Sequence, residues 1–293
     1  MLHHLLAPDT LALKRFGEQA ARVNAKLYAA LFPDARPVVA YLELEEIARE
    51  LLIGDLARPD SVLHRALFTP VLREGLFTAS GRRARLLEPP AWLPAASCPG
   101  QPGTARPFCW GVDGRGRRHP LRLSPDNGAF EFPGFHLPLV PEAVIGALRD
   151  RNIYPGLFVS YMTLALEHGL CCHGGIFLVR YLPTMLHAVR DLFMECGEPL
   201  PPLPGRTMLA AFAISMQARE TGRLFPAGML ELLTSGGISR ADLQRLADLP
   251  LEAVLPLSLA RWCLDYTPRS QRTPAWEADL RNVAWEGLTI EVS

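Results

Sequence analysis

The segment EHGLCCHGGIF, residues 167–177, carries two histidines and two adjacent cysteines within eleven positions. A cysteine thiol next to an imidazole can lose its proton and act as a nucleophile. The segment therefore predicts a site in which His173 or His168 is the base and Cys172 or Cys171 is the nucleophile. In an extended chain the two cysteines point to opposite sides, so only one of them faces a given pocket. The alternative is structural, because cysteines outside disulfides are often buried and pack as small apolar side chains.

The same four side chains, His168, Cys171, Cys172 and His173, are also of the types that bind zinc. Ligands on adjacent residues fit tetrahedral coordination poorly, and the chain has no second C-x-x-C or H-x-x-H pair to complete a structural site. The two glycine-rich loops that bind nucleotide phosphates, G-x-x-x-x-G-K-[ST] and G-x-G-x-x-G, are absent from the sequence. The sequence therefore predicts no metal site and leaves the cofactor unknown.

A second pair of residues suited to proton transfer, Glu131 and His136, lies in the extended segment 124–138. Glu131 stands between two phenylalanines and His136 follows a third, so a strand here would carry one carboxylate and one imidazole beside aromatic rings. If the β segment covers the helical body, a substrate pocket would form between them. Glu131 and His136 are then expected to act as a catalytic acid/base pair.

Two arginines are candidates for binding an anionic group of the substrate. Arg118 lies in GRGRRHPLR, residues 114–122, within a hairpin predicted over 107–123, and arginines on such loops can offer forked donors to phosphate or carboxylate. Arg180 interrupts the apolar run IFLVRYL, where a charge needs a partner or a cavity. The alternative for 114–122 is a solvated hairpin tip, since surface arginines need no ligand.

The elements that must position these residues fall into three segments. Residues 1–77 show apolar side chains at helical spacing, with Pro70 expected to break or kink a helix. Residues 78–140 are rich in proline and glycine and predict a small β module or a long insertion. Residues 141–293 are expected to be mostly helical, with one core strand near 174–182. Together they predict an α+β fold, a predominantly helical body with a small β-rich segment in the middle of the chain, in separate domains or as one compact domain.

Charge and hydropathy limit the classes of partner. Thirty basic residues balance thirty acidic ones, so no overall field attracts nucleic acid or an anionic membrane. The most apolar stretch, residues 152–170, is broken by Pro155 and falls short of the roughly 20 residues that span a bilayer. The first residues lack the pattern of a secretory signal, and six cysteines are sparse for 293 residues. We expect a cytoplasmic protein with reduced thiols and with no nucleic-acid or membrane partner.

Two hypotheses on function follow. In the first, the protein is an enzyme, a transferase or a hydrolase, that acts on a small anionic molecule through the Cys/His site near 168–173. In the second, it is a non-catalytic helical scaffold or accessory subunit whose tryptophan- and proline-rich loop, residues 88–110, binds a protein partner, because such residues are common interface anchors. A homo-oligomer is compatible with both hypotheses.

Overall fold

The structure is a computed structural model. It describes residues 5–32, 42–77, 108–124, 126, 128–174, 176–200, 202, 208–209, 214–217, 224–267, 269–281 and 287–291. All of the loop 88–110 except its last three residues therefore lies outside the described residues.

Helices account for most of the described chain. They are α1 (Pro8–Leu11), α2 (Phe16–Leu31), α3 (Leu44–Leu56), α4 (Val62–Phe68), α5 (Pro70–Phe77), α6 (Pro141–Arg149), α7 (Leu157–Tyr161), a π-helix (Met162–Glu167), α8 (Ile176–Glu195), α9 (Met229–Thr234), α10 (Arg240–Asp248), α11 (Leu251–Tyr266), a 3-10 helix (Arg269–Gln271) and α12 (Pro274–Arg281). None of the helices in these ranges is both long and apolar enough to cross a membrane.

The strands are short. They are β1 (Cys109–Val112), β2 (Arg118–Pro120), β3 (Arg122–Leu123), β4 (Ala129–Phe132), β5 (Phe135–Pro138), β6 (Ile153–Pro155), β7 (His173–Gly174), β8 (Met208–Leu209), β9 (Ile214–Gln217), β10 (Leu224–Pro226) and β11 (Leu288–Glu291). They form small sheets in the orders β2-β1-β6, β3-β4-β5, β7-β8 and β10-β9-β11. The predicted α+β fold, mainly helical with a β-rich segment in the middle of the chain, is confirmed.

The chain divides into two compact units, residues 1–43 with 211–293, and residues 44–210. Every candidate site residue belongs to the second unit. Its core joins helices to the central strands: Phe130 on β4, Phe158 on α7 and Phe193 on α8 are each almost completely buried. Burying one such ring stabilises a fold by about 1.5–3 kcal/mol. This packing fixes the helices that carry the candidate site.

Several local predictions are confirmed by the structure. Residues 109–120 form the predicted hairpin, with Trp110 opposite Pro120 in the register of β1 and β2. Pro70 ends the helical run after α4 and begins α5, since it cannot donate a backbone hydrogen bond. Residues 141–293 were expected to be mostly helical, and Pro141 opens α6 at the start of this segment, where its missing N–H costs nothing.

The predicted core strand near 174–182 is wrong. Only His173 and Gly174 form a strand, and α8 begins at Ile176 and runs through Pro183. A short apolar run is compatible with either a strand or a buried helix. The longer stretch from Leu178 to Phe193 distinguishes the two, because its buried side chains recur at helical spacing.

The C-terminal segment also contains strands where the sequence predicted mainly helix. β9 pairs antiparallel with β10 and parallel with β11, across more than 70 residues of chain in the second case. Such pairing between distant segments leaves little local signal. The run AAFAI, residues 210–214, which leads into β9, fits helix and strand equally well.

Candidate functional site

The central feature of the site is a contact between a buried carboxylate and a partly exposed imidazole. Asp55 lies in the last turn of α3, and His168 follows directly on the π-helix. The Nε2 atom of His168 lies 3.1 Å from Oδ2 and 3.2 Å from Oδ1 of Asp55. The Asp55 side chain is 2% exposed, whereas that of His168 is 32% exposed. The imidazole is therefore held from its buried side and open on the other.

This contact fixes the tautomer of His168. A carboxylate only accepts hydrogen bonds, so Nε2–H donates to Asp55 and the lone pair of a neutral ring is on Nδ1. Within the described part of the chain, Nδ1 has no hydrogen-bond partner. An imidazole that is oriented by a buried carboxylate and has its second nitrogen available is suited to act as a general base.

The connection from α3 to α4 holds Asp55 in place. The Arg58 guanidinium donates to Oδ1 of Asp55 at 2.8 Å, and the Ser61 hydroxyl donates to the backbone carbonyl of Asp55 at 2.7 Å. The same hydroxyl accepts from the amide of His64 at 3.0 Å and so caps α4. His64 donates through Nδ1 to the carbonyl oxygen of Leu56 at 2.7 Å, which satisfies the end of α3.

The π-helix positions His168 from the other side. The amide of His168 donates to the carbonyl oxygen of Thr163 at 3.2 Å, a wider turn than that of an α-helix. Oε1 of Glu167 accepts from the amide of Leu63 in the first turn of α4 at 2.9 Å. Gly169 then ends the helix with a φ of 63°, the left-handed conformation that glycine adopts readily. Single π-turns occur frequently at functional sites.

The two cysteines differ in exposure. Cys171 is exposed, and Cys172 is partly buried with its thiol 3.7 Å from the carbonyl oxygen of Leu170, to which it donates. Burial raises the pKa of the Cys172 thiol, and a charge on Cys171 would raise that pKa further. Cys172 is therefore held as a thiol, and its hydrogen bond goes to a backbone carbonyl and not to His168. This is the opposite of an activated nucleophile.

Two of the predicted site residues lie where side chains are not described. His173 is the first residue of β7, paired with Met208, and Arg180 lies in the second turn of α8. Their predicted roles as base and substrate anchor therefore stay predictions.

The predicted acid/base pair is brought together on the β4–β5 hairpin. Glu131 and His136 lie directly opposite each other in the register, and Nδ1 of His136 is 2.9 Å from Oε1 of Glu131. The His136 side chain is 64% exposed and that of Glu131 is 40% exposed. Proton exchange between them is possible, but an exposed pair is strongly screened by water.

Arg118, the predicted anchor for an anionic substrate, is engaged within the protein. Its guanidinium donates to Glu45 at 2.9 Å through one nitrogen and contacts the second carboxylate oxygen at 2.6 Å through another. It also lies over the ring of Tyr154, 5.1 Å from the centroid. An anion would have to compete with a forked carboxylate contact at this position.

A third carboxylate–imidazole pair, which sequence reasoning missed, lies on the β1–β2 hairpin. Oδ2 of Asp113 lies 3.0 Å from Nε2 of His119, whose ring stacks on Phe132 at 4.8 Å between centroids. The hydrogen bonds from His119 and from the Arg117 backbone hold the pKa of Asp113 well below its usual range. Residues 113–116 have the composition of a turn, and aspartate is a common turn residue, so the sequence did not indicate that Asp113 contacts a histidine.

The enclosed space near the Asp55–His168 pair is apolar. A cavity of about 10 Å³ lies between α4, α5, α7, the π-helix and α8, and Leu63 and Leu166 are among its exclusively apolar lining residues. Space of this size holds one water at most. A substrate of His168 would therefore have to bind on the open side of the ring.

Asp55 and Arg58 are the functional residues that sequence reasoning missed at this site. Asp55 is the last residue but one of an amphipathic helix, followed by LARPD, and resembles an ordinary surface residue. It contacts a histidine 113 positions later, a separation at which sequence spacing carries no information. Among the described residues, no group of three histidine, cysteine or acidic side chains is placed to hold a metal ion.

No protein-family model, curated protein or solved structure matches the chain. Its function therefore has to be inferred from the geometry of its own residues.

Proposed function

We propose that the protein is an enzyme that hydrolyses, or transfers a group from, a small anionic molecule, with His168 as the general base and Asp55 as its positioning residue. The observation that supports this is the contact of 3.1 Å between the buried carboxylate and the partly exposed imidazole. The proposal keeps His168 from the predicted Cys/His site and replaces the thiol by water or a substrate hydroxyl as nucleophile.

The reaction uses the open nitrogen of the ring. Nδ1 of His168 takes a proton from water as the water oxygen forms a bond to the acyl carbon or phosphorus of the substrate. Asp55 stabilises the imidazolium that results, because its carboxylate accepts the Nε2–H bond. The imidazolium then returns the proton to the leaving group as the scissile bond breaks. Proton transfer of this kind contributes about 10²- to 10⁴-fold in rate.

Arg58 is the anchor that we assign to the anionic group of the substrate. Its side chain is 54% exposed, and its guanidinium donates one N–H to the Asp55 carboxylate that His168 also contacts. Arginine binds carboxylate and phosphate through several N–H groups at once. The sparse cysteines of the chain support the cytoplasm as the place of this activity.

Hydrolysis of a panel of 4-nitrophenyl esters and phosphates by the purified protein tests the proposal. We expect turnover of at least one substrate, with kcat/KM lowered by about 10²- to 10⁴-fold in His168→Gln. His187→Gln removes an exposed histidine from α8 and is the matched control, expected to retain wild-type activity.

Two further variants separate the parts of the mechanism. Arg58→Gln should raise KM for phosphates and carboxylate-bearing esters more than it lowers kcat. Cys171→Ala should leave activity unchanged if water is the nucleophile. Equal activity in wild type and His168→Gln, or no turnover of any substrate by wild type, would contradict the proposed function and favour the scaffold hypothesis.

A further inference from the structure

The adjacent thiols of Cys171 and Cys172 have no part in the proposed reaction, and their surroundings suit a different chemistry. Both lie between the π-helix and β7, outside any helix or strand. Cys171 is exposed, and Cys172 is partly buried. A backbone without regular hydrogen bonding can rearrange at lower cost than one within a helix or sheet.

The side chain of Cys172 departs from the arrangement expected of adjacent residues in an ideal strand. There the two sulfurs would point to opposite sides. Instead, the sulfur of Cys172 reaches back to the carbonyl oxygen of Leu170, which places it on the N-terminal side of its own residue and beside the peptide unit of Cys171. One peptide bond joins the two residues, so rearrangement of this loop and rotation of both side chains can bring the two sulfurs together.

We infer that Cys171 and Cys172 form a redox-active dithiol that a small-molecule disulfide converts to a vicinal disulfide. The exposed Cys171 reacts first: its thiolate attacks one sulfur of the small disulfide, and one small thiolate leaves. The thiolate of Cys172 then attacks the sulfur of Cys171 and expels the second small thiolate. The protein sulfurs lose two electrons, the small disulfide gains them, and the two thiol protons go to the departing thiolates.

The order of the two steps follows from the surroundings of each sulfur. Attack on a bulky disulfide requires access, and the exposed Cys171 is more accessible than the partly buried Cys172. Burial raises the pKa of the Cys172 thiol and lowers its thiolate fraction toward any disulfide, and delivery of the neighbouring sulfur within the same chain offsets that loss. A ring closed between adjacent residues is strained, so excess thiol should reopen it readily.

Peptide mapping after treatment with glutathione disulfide tests this inference directly. Trypsin releases residues 152–180 as one peptide that contains both cysteines and no other. We expect this peptide to become lighter by two hydrogen atoms and to regain them with dithiothreitol. In Cys172→Ser we expect one glutathione adduct to remain on Cys171, because the resolving thiol is gone. Cys196→Ser, which removes another partly buried thiol, is the matched control and should behave as wild type.

A second probe examines the reduced pair. Phenylarsine oxide bridges two neighbouring thiols, so one arsenical should bind to this peptide in wild type, and Cys171→Ser or Cys172→Ser should abolish that binding. Stable adducts of glutathione on wild type without ring closure, or arsenical binding that survives either substitution, would overturn the inference. Both experiments measure peptide mass and not turnover, so their outcome does not depend on the proposed role of His168.

Discussion

Glu167 and Leu63 are 104 positions apart in sequence, and Oε1 of Glu167 accepts a hydrogen bond from the amide of Leu63 at 2.9 Å. The carboxylate thereby satisfies one of the amides that the first turn of α4 leaves without a helical partner. A negative charge is also favoured at this end of a helix. This bond ties the end of the π-helix, and hence His168, to the helix that follows Asp55.

The first prediction concerns this bond. Glu167→Ala should lower the free energy of unfolding by about 1–3 kcal/mol, because the partly buried amide of Leu63 loses its acceptor. Glu167→Gln keeps a carbonyl oxygen in the same place, so its free energy of unfolding should fall by less than half as much as that of Glu167→Ala. Urea unfolding of the three proteins measures both values. Equal losses in the two variants would show that the side chain acts through packing and not through the hydrogen bond.

The second prediction separates positioning from folding at Asp55. Asp55→Asn should cost about 1–3 kcal/mol of stability, since its buried side chain then lacks one oxygen that accepts from Arg58 or His168. It should also lower kcat far more than it changes KM, because the ring of His168 loses the partner that sets its tautomer. Urea unfolding and steady-state kinetics on the same preparation measure the two effects. An unchanged kcat in a folded Asp55→Asn protein would remove Asp55 from the mechanism.

The sequence allowed correct prediction of elements that are marked by local chemistry. Serine is a common residue at the start of a helix, and the Ser239 hydroxyl before α10 accepts from the amide of Asp242 at 3.1 Å in a capping box. Pro70 and Pro141 marked helix boundaries because proline constrains the backbone at its own position. Glu131 and His136 were predicted on a single extended segment, whereas the structure divides that segment into β4 and β5 and places the two residues opposite each other.

What the sequence did not reveal depends on distant segments. His168 was recognisable as chemically capable, but its orienting partner comes from the last turn of a helix 113 residues earlier. Asp55 has the same sequence context as many exposed helix ends, and only tertiary packing buries it. Likewise, the run from Gly174 to Leu182 taken alone is typical of a strand. The helical spacing of its apolar residues becomes clear only when the next dozen residues of α8 are included.

The third prediction tests the helical assignment of that run. Pro183 lies inside α8, where it removes one backbone hydrogen bond and crowds the preceding turn. Pro183→Ala should therefore raise the free energy of unfolding by about 1–3 kcal/mol. Alanine has the higher helix propensity, but it also increases the conformational entropy of the unfolded chain, which offsets part of the gain. Thermal and urea unfolding measure the change, and helix content from circular dichroism should not fall. A loss of stability would indicate that the fixed φ of proline is required there.

The fourth prediction concerns acid stability and starts from Asp113. Its carboxylate accepts hydrogen bonds from the side chain of His119 at 3.0 Å and from the backbone amides of Arg115 and Arg117, each at 2.9 Å. These donors favour the charged form, so the pKa of Asp113 in the folded protein lies well below the ordinary value of 3.8.

The sign of the effect follows from that lowered pKa. The unfolded state binds the proton first as the pH falls, so Asp113 stabilises the fold fully above the ordinary pKa and loses this contribution as the pH falls below it toward the folded value. Asp113→Asn should be less stable than wild type at pH 7, and the difference should shrink as the pH is lowered below about 4. Urea unfolding of both proteins over that range measures the difference.

Asp60→Asn, which changes an exposed aspartate with no side-chain hydrogen bond among the described residues, is the control and should match wild type at every pH. A gap between wild type and Asp113→Asn that stayed constant into acid would mean that the hairpin depends on the shape of the Asp113 side chain and not on its charge.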